Sequence, residues 1–488
     1  MVEEEKLEVP QKYFDLLPES IKYAESNNIL LQIKNSLLWL FYLYDLPKEE
    51  RDRIIQELLR IDYQARLNLY PGLDPVGVFL YFQTGYENII SSIRRILKRL
   101  DQYKITHPGL IATSLYSAWV QPYTINENEY KLLVEIVRNP RGSFREWSKN
   151  TKLSLAGVKY AFDRLKKKMF LRIYSMVNFN AIKLKHYLIH ISRIHNDRLR
   201  NLIKDAFLKN LWCRSVSWFA SDPSSLFISL TIPSHTRCIK TVLDNMKVFR
   251  DFGEVNIYEI NERFSSYNLT AYDPRTGWNF SSNTWIMFSF SETLESCLDY
   301  LKQINFVHRL TYTNLPGFRL SKGDLYIIAG LARDYRLKIT MLSEITGYSL
   351  STISKKKREL VEKKILYPVT FIANIGLSSS LALLWEKSSE DLEYLIYASA
   401  ELPYVVGYKM KKIYPTTSGD YLLLFIWLPG KVSWDFIQNF SELGKEIGLK
   451  EVFYEYMGPS SFTIDRFIHR WDEDRCVWRW SRDDFKFI

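Results

Sequence analysis

Cysteine is scarce in this chain. Its 488 residues hold four, Cys213, Cys238, Cys297 and Cys476. No two of them lie close enough for a zinc knuckle, a redox pair or a dense disulfide framework. Idle thiols of this kind suit a reducing cytosol. Long apolar runs are lacking too. The longest largely apolar stretch, Leu37–Leu46, is too short to cross a bilayer and reads as a buried strand. The opening segment MVEEEKLEVP is acidic where a signal peptide would be basic and then apolar. No low-complexity tract stands out. These absences predict a soluble protein of the cytoplasm, nucleoid-associated given its charge, with no membrane partner.

Motifs for catalysis are missing as well. There is no GxxxxGK[ST] loop, no GxGxxG after a strand, no HExxH and no GxSxG. The seven histidines are scattered, and the closest pair, His186 and His190, alternates on one face of a strand, which suits packing better than a metal site. The acidic run Asp472, Glu473 and Asp474 is interleaved with Trp471 and Arg475 and suits a salt-bridged surface. The expectation is a protein that is not an enzyme, with no cofactor and no metal.

What is present is a mild basic surplus, a formal net charge of +11, which favours a polyanionic partner. Hydrophobic residues make up 47% of the chain, enough for several cores. The chain also repeats itself. "SLAGVKYAFDRLKKKMFL" (154–171) lies over "SLSTISKKKRELVEKKIL" (349–366) at an offset of 195. Ser154 falls on Ser349, Val158 on Ile353, Leu165 on Leu360 and Leu171 on Leu366. At the same offset Glu129, Leu132, Leu133 and Ile136 fall on Asp324, Ile327, Ile328 and Leu331. Each copy reads as three helices, the third starting after a serine N-cap, followed by a β-rich segment. That is a winged helix-turn-helix.

A second pattern surrounds these modules. Residues 36–70, 225–258 and 421–454 each read as strand, Pro (Pro47, Pro233, Pro429), amphipathic helix, strand. With the helix and strand before each, they form βαββαβ ferredoxin-like units. A third, weaker repeat, 76–100 over 283–304, reads as strand then helix. The expected class is α+β, with tandem winged helices alternating with ferredoxin-like units. The expected order is: residues 1–75 a ferredoxin-like unit without a clear first strand; 76–125 a βα extension; 126–178 the first winged helix; 179–281 a ferredoxin-like unit; 282–322 a βα extension; 323–372 the second winged helix; 373–488 a ferredoxin-like unit with an aromatic C-terminal strand.

"LSEITGYSLSTISKKKRELVEKKILYPVTFIANIGLSSSLALL" (342–384) resembles the leucine-responsive (Lrp/AsnC) family of prokaryotic regulators. Leu342 and Glu344 suit the second helix, Gly347 the turn, and Ser349–Lys356 the start of the recognition helix. The resemblance covers roughly 126–262 and 323–460, as two copies. It implies winged helices held by paired ferredoxin-like sheets, here as one covalent pseudo-dimer that regulates transcription or shapes DNA. The sequence departs from the family in carrying two such units and a third ferredoxin-like copy, open to a second chain in a homodimer. Lys357 stands at an inward position where the first copy has Phe162, and the first copy lacks the turn glycine. The family's effector loops do not align, so no small-molecule site is carried over.

The N-terminal part of a recognition helix meets base edges in the major groove. In the second copy the outward residues are Ser351, Thr352, Ser354, Lys355 and Arg358, flanked by Lys356; these suit bases or phosphates. The first copy offers Ala156, Gly157, Lys159, Tyr160 and Arg164, with Arg172, Lys183 and Lys185 from its wing. Double-stranded DNA is the expected partner. RNA, the ribosome or RNA polymerase is the rival, and a protein scaffold the second rival. A basic run on one helix is most often a solvated face, but two such helices in matching modules favour a nucleic-acid surface. The aromatic stretches 272–280 and 471–480 read as core strands rather than stacking platforms.

Overall fold

The computed structural model describes residues 9–485 apart from 24–27, 61–66, 70–72, 74, 82–85, 117–124, 220, 223, 280–293, 373–374, 378, 430–448, 455 and 462–463. The chain is α+β and divides into two compact units. The first holds residues 1–123 with 163–171 and 372–375, and the second holds the rest.

Helices alone make up the described part of residues 9–116. They are α1 (Asn28–Asp45), α2 (Lys48–Arg60), α3 (Pro75–Tyr81), α4 (Tyr86–Gln102) and α5 (Pro108–Tyr116), besides single short turns. The ferredoxin-like unit expected at 1–75 and the strand expected at the start of the 76–125 extension are therefore corrected. The physical reason lies in α1. Leu37, Leu38, Trp39, Leu40 and Phe41 are all buried. A segment covered on every face carries no period that separates helix from strand. Its length, 18 residues, is that of a helix. The helices share one core, in which Ile33, Leu37, Phe41, Ile93, Leu97 and Ile111 lie inside. Among the described residues there is no third ferredoxin-like sheet, on which the homodimer expectation rested.

The second unit contains the second winged helix and the first one apart from residues 163–171, which belong to the first unit. The first module runs α6 (Glu127–Arg138), α7 (Phe144–Thr151), α8 (Leu155–Met169) and β1 (Arg172–Val177). Asn126 and Ser143 form capping boxes with Glu129 and Glu146, which start α6 and α7. A ferredoxin-like unit follows: β2 (Leu184–Ser192), α9 (Asp197–Lys209), β3 (Cys213–Phe219), β4 (Leu226–Pro233), α10 (Thr236–Met246) and β5 (Glu254–Tyr267). Short strands β6 (Tyr272–Asp273) and β7 (Gly277–Trp278) pair with each other. In the second extension the strand expected at 283–290 falls outside the described residues, while α11 (Leu294–Ile304) and β8 (His308–Thr311) are present. The second module runs α12 (Lys322–Arg333), α13 (Ile339–Thr346), α14 (Leu350–Glu362) and β9 (Leu366–Phe371). Next come β10 (Ser379–Lys387), α15 (Ser389–Ala398), β11 (Tyr404–Tyr414), β12 (Thr416–Leu428), β13 (Leu449–Tyr454) and β14 (Tyr456–Ser461). The helix expected near 431–447 lies outside the described residues. A small hairpin, β15 (Trp471–Asp472) with β16 (Val477–Trp478), stands in place of the long aromatic strand expected at the C-terminus.

Neither module builds a wing of its own. Strands β1 and β9 pair with each other, antiparallel, from Arg172↔Phe371 to Val177↔Leu366. Tyr174 faces Val369 in that register, and these two residues are related by the 195-residue repeat. The two-fold axis of the duplication therefore passes through that pair.

The large sheet runs β13-β10-β12-β11-β5-β2-β4-β3-β14. Each ferredoxin-like set is contiguous in this order. The long strand β5 joins them: its first half pairs with β2 and its second half with β11. At the other end β13 pairs with β10 and β14 with β3. Only residue 455 separates β13 from β14, so the path returns on itself as a barrel of two fused units. Its faces are distinct. On β10, Leu381, Leu383 and Trp385 pack with Leu392 and Ile396 of α15, while Ala382 and Leu384 belong to the core that holds Phe453, Phe219 and Phe227 inside the barrel. That alternation is the period-two rule of a half-covered strand.

Candidate nucleic-acid interface and barrel interior

Helix α14 begins at Ser349, whose Oγ accepts the Thr352 N–H at 3.2 Å. Gly347, at φ 73°, takes the left-handed position that ends α13. Ile353 and Leu360 turn into the core, which leaves Ser351, Ser354, Lys355 and Arg358 exposed and Thr352 half-buried. The row of four basic residues splits into two outward and two tied inward. Lys355 makes no ion pair among the described residues, and Arg358 Nε lies 3.9 Å from Glu362. Lys356 is tied to Asp324 at 2.5 Å and so serves the module's own packing. Lys357 Nζ donates to the Tyr335 carbonyl at 2.6 Å and sits 4.0 Å from the Tyr335 ring centre. Burial, helped by nearby Arg336, pulls its ammonium down to about 8.

The first module presents different chemistry. Lys159 and Tyr160 are exposed, Tyr160 by 64%. Arg164 is half-buried and belongs to the first unit. The turn position of Gly347 is held here by Lys152, at φ 58°. A left-handed conformation costs a non-glycine residue about 1 kcal/mol. Arg172 lies on the ribbon, its guanidinium 5.8 Å from the Tyr174 ring centre and 5.5 Å from that of Phe371. Lys183 and Lys185 are corrected as phosphate contacts. Lys183 donates to the Cys476 carbonyl at 2.7 Å and Lys185 pairs with Glu259 at 2.6 Å. The aromatic stretches are core: Tyr272, Trp278, Trp471 and Trp478 are buried. Asp472 pairs with Arg479 at 3.1 Å, as a salt-bridged surface requires.

A second constellation lies inside the barrel. His186 of β2 is buried, with Nε2 2.7 Å from Ser229 Oγ and Nδ1 3.3 Å from Tyr312 Oη. Burial, with Arg214 and Arg263 nearby, holds its imidazole well below the usual range, so it is neutral. Arg263 Nη2 donates to Tyr174 Oη at 3.2 Å, and Arg214 lies 4.8 Å from the Phe179 ring centre. Further along β2, His190 stacks on Phe227 at 4.3 Å, and its Nδ1 is 3.5 Å from Glu451 Oε2. Burial pulls His190 down to about 4 and pushes Glu451 up to about 7. Among the described residues no three His, Cys, Asp or Glu side chains gather as a metal site. The two arginines were not singled out from the sequence. The available signal was an arginine inside an apolar strand, in "WCRSVSWF" and "NERFSSY".

No protein-family model and no curated protein matches the sequence. Solved structures do. One is the siroheme decarboxylase NirDL, at 11% identity and TM-score 0.41 over 68% of this chain and 92% of that one. The same protein in co-complex with an iron-uroporphyrin III analogue matches at 10% identity with the same coverage. PH0061 matches at 12% identity and TM-score 0.21, over 28% of this chain and 93% of that one. The likeness is distant and concerns architecture alone. It nevertheless overturns one expectation. The exclusion of enzymes rested on missing motifs, yet NirDL, similar in architecture, is named as an enzyme. Motif searches recognise only certain reaction classes, and a fold does not set its function. The exclusion is withdrawn.

Among the described residues no helix is long and apolar enough to cross a membrane.

Proposed function

We propose that the chain is a DNA-binding protein of the regulatory or architectural kind, which reads duplex DNA chiefly through α14. The observation that carries this reading is the outward face of that helix. Ser351, Ser354, Lys355 and Arg358 are exposed together, next to an N-terminus capped by Ser349. Hydroxyls and cations on the first turns of a recognition helix suit base edges and phosphates. Lys159, Tyr160 and Arg172 of the first module are the secondary contacts. Because the two faces differ, the target is not a palindrome. Thr352 and Arg164, half-buried, contribute less, and Lys356 acts through its bond to Asp324.

The test is binding of the full chain to random-sequence duplex DNA, single-stranded RNA and ribosomes at two salt concentrations. Salt-dependent preference for the duplex, weakened in the Lys355→Ala/Arg358→Ala double variant, supports the reading. Preference for RNA or ribosomes moves the same surface to translation. Equal affinity in the double variant removes α14 from the interface.

A further inference from the structure

Two arginines deep in the barrel lack the partners that buried cations need. Arg214 makes no hydrogen bond and no ion pair among the described residues, and its guanidinium lies over the face of Phe179. Arg263 donates once, to Tyr174 Oη, and its Nε is buried without an acceptor. Carboxylates nearby are already taken. Asp465 pairs with Arg333, and Glu262 with Arg309. The two guanidiniums are close enough to repel, and burial pulls Arg214 down to about 10. Both nonetheless keep some accessible surface.

Such an arrangement works against the stability of the empty protein. Taking a guanidinium out of water is costly, and a paired anion offsets that cost. Proteins keep uncompensated groups of this kind where a ligand supplies the missing charge. The surroundings narrow the ligand. Tyr408 lies 5.8 Å from the Arg263 guanidinium, and Tyr312 stacks on His186 at 6.0 Å between ring centres. Phe179 closes on His186 at 5.0 Å between ring centres. These walls are flat and aromatic. Neutral His186, with Nε2 on Ser229 and Nδ1 on Tyr312, adds a flat face to these walls.

We infer that Arg214 and Arg263, walled by aromatic rings and the neutral His186, form a binding site for a small organic dicarboxylate with a flat body. Each planar guanidinium matches one carboxylate, and the aromatic walls match the body between them. A bare phosphate would meet the charge but waste the walls. The inference is independent of the DNA reading and holds or fails without it.

The probes are phthalate, inorganic phosphate and no anion, added to the full chain, with thermal unfolding and calorimetric titration as readouts. Phthalate raises the melting temperature of the wild type by linkage, and more than phosphate does. Arg214→Met and Arg263→Met each weaken phthalate binding by about tenfold or more, the scale of one charge-assisted hydrogen bond. Without anion, Arg214→Met does not melt below the wild type, because it removes an uncompensated charge. The site is overturned if phthalate neither binds nor stabilises, or if phosphate does as well. It is also overturned if the variants bind unchanged, or if both melt well below the wild type without anion, which would make the arginines structural.

Discussion

The two winged helices share a backbone plan and differ in what fills it. In the first, Trp147 packs within 5.6 Å of both Phe144 and Phe162, measured between ring centres. In the second, Leu342 stands where Trp147 does and Lys357 where Phe162 does. The aromatic module has an apolar core and an outer face poor in hydrogen-bonding groups. The other tolerates a half-buried lysine, held by Tyr335, and puts Ser, Lys and Arg outside. Duplication kept the periodicity and let the two copies diverge in chemistry.

That contrast can be broken most sharply at Trp147. Trp147→Ala leaves a cavity in an all-aromatic cluster and removes the surface under Arg336, whose guanidinium lies 4.4 Å from the ring centre. A loss of about 3–5 kcal/mol is expected by chemical denaturation, while Leu342→Ala should cost less, about 2–4 kcal/mol. Equal costs would erase the distinction between the cores.

The outer faces are compared next. Lys355→Ala/Arg358→Ala should weaken duplex binding about tenfold and lower the salt slope by about two. Lys159→Ala/Tyr160→Ala should change either by much less. Fluorescence anisotropy over a salt series measures both, and the reverse ranking would make the first module the reader.

Lys357 sharpens the comparison through pH. Its folded value, about 8, lies below the ordinary lysine value. Between these two values the unfolded chain binds the extra proton, so stability rises as pH climbs through that window. In Lys357→Met the rise should vanish. Denaturation midpoints at pH 7.5 and about 10 decide it.

The smallest effect is expected at the serine caps. Ser154 Oγ accepts the Gly157 N–H at 3.0 Å and Ser349 Oγ that of Thr352 at 3.2 Å. Alanine at either should cost about 1 kcal/mol. A much larger loss at Ser349 would mean that it does more than start its helix.

The repeat, the helices of both modules and their serine caps were legible in the sequence because each depends on neighbours three or four residues away. The inward place of Lys357 was legible for the same reason. Placing α1 as a strand failed because burial on all sides leaves no period to read. Arg214 and Arg263 were missed because their significance is what they lack, and missing partners can be seen only once β3 and β5 stand on the same wall.

By itself the sequence determined local order: which segments coil, where they start, and that two halves share one plan. Tertiary structure alone decided three things. The strands expected as separate wings pair across the axis at Tyr174 and Val369. The long strand β5 splits its hydrogen bonds between two units. Lys356 on α14 turns inward to Asp324. Each is a choice among partners far apart in the chain, and local spacing carries no information about that choice.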